Sequence, residues 1–174
     1  MTTKEVLETC PVVTLDTYTD NEFDYVLEAH RRVFCEEFGW SDRFMEDVRE
    51  ILLTYVNREK TDRETFLIAK VDGKPVGTMR LIELPGDPTV AQLRVLTVDE
   101  SYRGLRIGSR LMTTLLEKAK ADGYRKVILW TCDQLIVARK YYAKLGFTCT
   151  QKEENRHWDP NGKLIMEELW EMDL

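Results

Sequence analysis

The spacing of hydrophobic positions changes along the chain, and each change predicts an element. Pro11–Thr17 alternates through Val13 and Leu15, as a short strand does. From Asp20, a residue able to cap a helix, Phe23, Val26, Leu27, His30, Val33, Phe34 and Phe38 recur at helical spacing until Gly39. A second helix is predicted from Ser41, with Phe44, Val48, Ile51, Leu52 and Tyr55 on one face. The period then shortens. Phe66–Val71 and Val76–Glu83 read as strands joined by Asp72-Gly73-Lys74, a hairpin signal. Leu84–Pro88 reads as a loop and Val90–Val98 as a further strand. Ser109–Ala121 repeats apolar residues at helical spacing and is closed by Gly123. Lys126–Thr131 has the β-branched and aromatic character of a central strand. Leu135–Leu145 is a helix stopped by Gly146, Phe147–Lys152 a strand, and Lys163–Asp173 a last strand after a polar loop. The order is β-α-α-β-β-β-α-β-α-β-β, without internal repeats or linkers, so residues 1–174 are expected to form a single domain.

Composition narrows the classes. No uninterrupted apolar run exceeds four residues, too short for a membrane span, and the first residues show neither a signal core nor an Arg-rich transit pattern. A cytoplasmic protein without membrane partners is expected. The formal charge is −6, from 25 Lys+Arg and 31 Asp+Glu. That balance argues against a general nucleic-acid partner, because phosphate backbones are held by surplus cations. It favours a cationic small molecule or basic peptide. Cys10, Cys35, Cys132 and Cys149 have no zinc-ligand or redox spacing, and the histidines are His30 and His157, so free thiols and no metal are expected. His30 lies on an apolar stripe and reads as a satisfied core or boundary histidine.

The segment with chemistry runs from the strand Leu93–Val98 through Arg103-Gly104-Leu105-Arg106-Ile107-Gly108 into a helix. A glycine-bearing turn from strand to helix aims several backbone N–H groups, and the helix dipole, into one space suited to phosphate. It is neither GxxxxGK[ST] nor GxGxxG. An ordinary helix start remains the alternative reading.

RGLRIGSRLM, GYRKVILWT and ARKYYAKLGF, in this order and spacing, resemble the GNAT N-acetyltransferase superfamily. EFGWSDRF, QLRVLTV and LWEMDL further resemble the acetyltransferase domains often fused to MarR-type regulators, with the regulator half expected to be absent. The resemblance implies an α+β acyl-CoA N-acyltransferase fold, with a mixed, mostly antiparallel seven-stranded sheet flanked by four helices. It implies acetyl-CoA as co-substrate, held by backbone groups of Leu96, Thr97 and Val98, with amides of Arg103, Gly104, Leu105, Arg106, Ile107, Gly108 and Ser109 around the pyrophosphate. The thioester would lie between Leu96–Val98 and Leu129–Thr131, and Tyr142 matches the tyrosine placed near the departing sulfur. A neutral phenol can protonate a thiolate, although Tyr142 or Tyr141 can equally fill core.

Three positions depart from the pattern: Arg106 replaces a usual glycine, Leu135 a frequent asparagine with Gln134 beside it, and Gln92 a glutamate that serves some relatives as base. Glu83 is the base candidate named first, with Glu37 or a water chain as alternatives. Trp40 and Trp158 can wall an acceptor pocket, with Glu37 and Asp42 attracting its charge, or can simply pack loops. The expected reaction is direct attack of a primary amine on acetyl-CoA, the acceptor being a small molecule. A protein or peptide amine, or a catalytically weak acyl-CoA-binding regulatory module, is the alternative. Monomer and homodimer are both compatible.

Overall fold

The computed structural model describes residues 11–174, so Cys10 and the N-terminal leader reading lie outside the described residues. The strands are β1 (Val13–Thr17), β2 (Thr65–Val71), β3 (Lys74–Leu84), β4 (Asp87–Val98), β5 (Lys126–Cys132), β6 (Thr148–Asn155) and β7 (Ile165–Asp173). The helices are α1 (Phe23–His30), α2 (Asp42–Val56), α3 (Ile107–Ala121) and α4 (Ile136–Leu145). They form one seven-stranded sheet in the order β1-β2-β3-β4-β5-β7-β6, antiparallel except between β4 and β5. The expected mixed sheet with four helices is what the chain adopts.

Helices cover both faces. On one, Val26 of α1 and Phe44, Val48 and Leu52 of α2 bury against Phe66, Ile68 and Ile82. On the other, Leu111, Met112 and Leu115 of α3 and Tyr142 of α4 meet Met79, Leu81, Leu93 and Trp170. Leu115 is fully buried, so truncation to alanine there would cost about 2–5 kcal/mol. Gly77 on β3 allows the start of α3 to lie this close. A Cβ there would meet Ile107 Cγ2 and the Thr97 carbonyl oxygen, both at 3.1 Å. Among the described residues, no helix is long and apolar enough to cross a membrane.

Several local readings need correction. Thr19 and Glu22, not Asp20, close the first helical turn: the Thr19 N–H and hydroxyl both donate to the Glu22 carboxylate, at 2.8 and 2.6 Å. The helix predicted to run through Phe38 changes winding at Arg31, and Arg31–Glu37 is π-helical. A π segment shifts the side-chain phase, which the apolar spacing alone does not show. The Leu84–Pro88 loop shrinks to a turn at Pro85 and Gly86, because backbone pairing continues through polar residues to Leu84↔Asp87. The Asp72-Gly73 hairpin is as expected, with both residues at positive φ.

Candidate active site

β4 and β5 pair from Val90↔Lys126 only to Leu93↔Leu129, although both strands run on. The cause is a bulge. Arg80 pairs with Arg94 and Thr78 with Thr97, so Met79 faces both Val95 and Leu96, and Val95 is left-handed at φ 53°. A β-branched residue in that region is strained by about 1–3 kcal/mol. Bulges bend a strand and end its pairing. Beyond Leu93 the sheet therefore opens between Leu96–Val98 and Trp130–Cys132.

Two cavities meet at this opening. One, of about 530 Å³, is lined by Leu96, Thr97 and Val98, by Arg103, Gly104, Arg106, Ile107, Gly108 and Ser109, and by α4. The other, of about 340 Å³, lies between the sheet and α2. Phe34, Leu96, Leu135 and Tyr142 line both. The predicted loop thus gathers at the first cavity with one exception: Leu105 is 41% exposed and not part of the lining.

The loop owes its shape to Gly104 at φ 88° and Arg106 at φ 57°. Arg106 takes up the left-handed turn for which glycine is the unstrained choice, and it directly precedes α3 with no side-chain cap. The first N–H groups of α3 have no intrahelical acceptor and open toward the cavity side of the loop. A Cβ on Gly108 would meet Val98 Cγ2 at 3.6 Å, an ordinary contact, so protein packing alone does not demand glycine there. Arg103 is less available than its position implied: its guanidinium forks onto Glu37 at 2.6 and 2.8 Å.

Tyr142 is buried at 7% exposure, and among the described residues its hydroxyl has no hydrogen-bond partner. Burial raises its phenol well above the ordinary tyrosine range, with Tyr141 adding to the effect, so it is neutral at any working pH. α4 is fixed by the Arg139 fork onto Glu168, at 2.8 and 3.0 Å. Burial opposes the charge of Glu168, but hydrogen bonds from Arg139, Trp170 and Lys152 outweigh it and hold the carboxyl below its usual range.

Glu83 does not join this cluster. It pairs with Ala91, four residues before Val95, and its carboxylate accepts from Arg63 at 3.0 Å, outside both cavity linings. Gln92 is buried between Ile82 and Ile128 and lines neither cavity. Asp42 faces Arg31 at 3.4 Å, also away from the opening. The Gln134 oxygen is occupied by the Trp40 indole N–H at 2.8 Å. Trp40 and Trp158 do stack, with centroids 5.0 Å apart, but only Trp158 lines the second cavity. Trp40 is a packing residue.

Sequence reading missed the charges of the second cavity. Asp47, Glu153 and Glu167 line it, and burial raises the Glu167 carboxyl, aided by Glu153 and Asp47 and opposed by the Asn155 hydrogen bond. Glu153 and Glu167 are cross-strand neighbours, and Asp47 accepts from the Trp158 indole at 2.8 Å. Arg94 and His30 line the same space. His30 is the buried histidine expected, its Nδ1 donating to the Val26 carbonyl at 2.7 Å. The available signal was Arg94, the one charged residue in the segment Val90–Val98.

Comparisons with known proteins agree with one another. The model of the acetyltransferase (GNAT) family matches residues 23–147. The chain is 30% identical over 122 residues to a probable N-acetyltransferase, camello, of Xenopus tropicalis, covering 70% of this chain and 54% of that one. It is 27% identical over 158 residues to an N-acetyltransferase of Methanocaldococcus jannaschii (88% and 68% covered). It is 37% identical over 82 residues to the N-acetylaspartate synthetase of Xenopus tropicalis (47% and 30% covered). The chain thus spans about half the length of the first of these relatives and about a third of the last. Among solved structures, a GNAT-family acetyltransferase from Staphylococcus aureus superposes with TM-score 0.70 at 22% identity, covering 94% and 99% of the two chains.

Proposed function

This chain belongs to the GNAT acetyltransferase family, and on that premise we propose that it moves the acetyl group of acetyl-CoA to a primary amine by direct attack. The observation that carries the reading is the meeting of two cavities at Phe34, Leu96, Leu135 and Tyr142, beside the unpaired ends of β4 and β5. The first cavity fits the donor. Uncapped α3 amides, Gly104 and Gly108 suit a pyrophosphate, and the bare β4 edge at Leu96–Val98 suits an extended pantetheine chain. Arg106, exposed and unpaired among the described residues, adds charge there, whereas Arg103 must first leave Glu37. Acetyl-CoA supplies an activated thioester. The nitrogen lone pair forms the new N–C bond, the C–S bond breaks, the departing sulfur takes a proton from the neutral Tyr142 hydroxyl, and the proton shed by the new amide nitrogen restores that phenol.

The amine must first lose a proton. Glu83 enters this reading only through a chain of waters, because Arg63 holds its carboxylate outside both cavities. Asp47, Glu153 and Glu167 are the carboxylates that line the acceptor cavity directly, and Glu167, whose carboxyl burial raises, is the candidate to accept the proton. A space of about 340 Å³ suits a small acceptor rather than a protein surface. The stretches EFGWSDRF and LWEMDL support kinship with the domains fused to MarR-type regulators, and free Cys35, Cys132 and Cys149 fit a reducing cytoplasm.

A thermal melt with acetyl-CoA tests the donor half. At 100 times its dissociation constant a ligand adds about 2.7 kcal/mol, or roughly 5–11 °C for a domain of this size. Such a shift, absent with adenosine, followed by amine-dependent thiol release, is the expected result. No shift at millimolar ligand would refute the proposal, and binding without thiol release on any amine would favour the regulatory module.

A further inference from the structure

The second cavity contains a cation with no protein partner. Among the described residues, Arg94 makes no ion pair and no side-chain hydrogen bond, yet it is half-buried and lines the cavity. The other arginines that lack a carboxylate partner, except Arg80, are Arg49, Arg106, Arg110 and Arg125, and all four are exposed to water. Arg80 sits directly opposite Arg94 across β3 and β4, at 1% exposure, with Nε and Nη1 unpartnered. Its guanidinium lies over the Tyr55 and Phe66 rings, 4.5 and 5.7 Å from their centroids, and those π faces offset part of its charge. Arg94 has no such cover. Burial depresses its guanidinium, and its charge in turn lowers that of Arg80. A charge withdrawn from water without a counter-ion is costly, and a guanidinium fork matches a carboxylate or a phosphate, of which the carboxylate is the smaller and carries the single charge that one arginine balances.

We propose that the acceptor carries a carboxylate beside its amino group, that the Arg94 guanidinium holds this carboxylate, and that the acceptors are monocarboxylic amino acids. The proposal rests on the acetyl-transfer reading and specifies its acceptor. Arg94 immediately precedes the bulge at Val95 and Leu96, so a carboxylate on it sets a neighbouring amine beside the opening where the two cavities meet. Asp47, Glu153 and Glu167 line the same cavity. They attract the ammonium and repel a second carboxylate, which excludes dicarboxylic acceptors such as aspartate. Phe34, Phe44, Val48 and Ile51 supply apolar wall for a side chain.

The test uses matched pairs that differ by the carboxylate: phenylalanine and phenethylamine, leucine and isoamylamine, lysine and cadaverine. Thiol release from acetyl-CoA is expected to favour the amino acid by on the order of 10- to 100-fold in kcat/KM, the worth of a charge-assisted contact. In Arg94→Gln that ratio falls toward one, and Arg94→Lys restores part of it. Because Arg94 bonds to no described residue, the variant is expected to fold with an unchanged or higher Tm. Calorimetry of the N-acetylated pairs on the CoA-loaded protein reads the same preference without turnover. Equal handling of both members, equal handling of aspartate, or a ratio that survives Arg94→Gln overturns the proposal while acetyl transfer stands. Carboxylate-selective binding lost in Arg94→Gln, with no acetylation of any amine, leaves the anion site and refutes the transferase reading instead.

Discussion

Replacing His30 with leucine removes a single titrating ring from the lining of the second cavity, and its effect can be worked out from its surroundings. The imidazole is 3% exposed, and burial pushes it down to about 4 from 6.5, with the hydrogen bond to the Val26 carbonyl opposing and the charge of Arg80 reinforcing. Between those values the unfolded chain binds a proton that the folded one refuses, so stability falls as pH drops from about 6.5 toward about 4. A difference of 2.5 pH units at about 1.36 kcal/mol each corresponds to about 3 kcal/mol. Urea unfolding at pH 8, 6.5, 5 and 4 reads it directly. The parent protein should lose about 3 kcal/mol more than His30→Leu across the lower window, and the two should run parallel above it. Carboxylates contribute equally to both curves and cancel. Parallel curves throughout would show that the folded ring titrates normally and that the packing of α1 against the sheet has been misjudged. The same argument has a kinetic corollary: a neutral His30 contributes no limb to a pH–rate profile between pH 6 and 9.

Three further outcomes are expected. Tyr142→Phe keeps the buried ring and deletes the unpartnered hydroxyl. A charge-assisted hydrogen bond to sulfur would then be missing, lowering kcat by about 10- to 100-fold with acetyl-CoA affinity unchanged by calorimetry, whereas an unaltered kcat would return the residue to the core. Glu168→Ala removes the buried acceptor of Arg139 and Trp170. Because Arg139 and Lys152 are partly solvated, the loss should be about 2 kcal/mol, a fall of roughly 4–8 °C in Tm, and a change under 2 °C would deny the fork its role in holding α4. Arg106→Gly relieves left-handed strain, so stability should rise by up to about 1 kcal/mol while acetyl-CoA affinity falls a few-fold at low salt and converges with the parent at high salt.

The lining of the first cavity was legible because the elements that form it are local. A glycine turn, a helix start and a tyrosine on the following helix occupy consecutive stretches, and their spacing survives folding unchanged. The second cavity depends on contacts between distant segments. Asp47 comes from α2, Arg94 from β4 and Glu167 from β7, and only the sheet order brings them to one cavity. Glu83 and Asp42 were plausible as isolated carboxylates, but Arg63 and Arg31 engage them, and ion pairs between segments are invisible in one dimension. The winding change at Arg31–Glu37 left no mark either, because a π segment keeps apolar residues frequent while altering where they point.

The short parallel pairing of β4 with β5 has a mechanical consequence. Within the sheet, four ladder pairs and the bond from the Arg125 N–H to the Thr89 carbonyl join the plate β1–β4 to the plate β5–β7, whose own strands pair antiparallel over longer, bulged ladders. Tension applied between the outer strands β1 and β6 would part the molecule along that seam before either plate frayed. A chain lodged against Leu96–Val98 would add a rung where the stitching stops, so a substrate seated as proposed would act as a rivet. The empty protein should flex about the seam and the loaded one stiffen, with amide exchange at Leu96–Val98 slowing first.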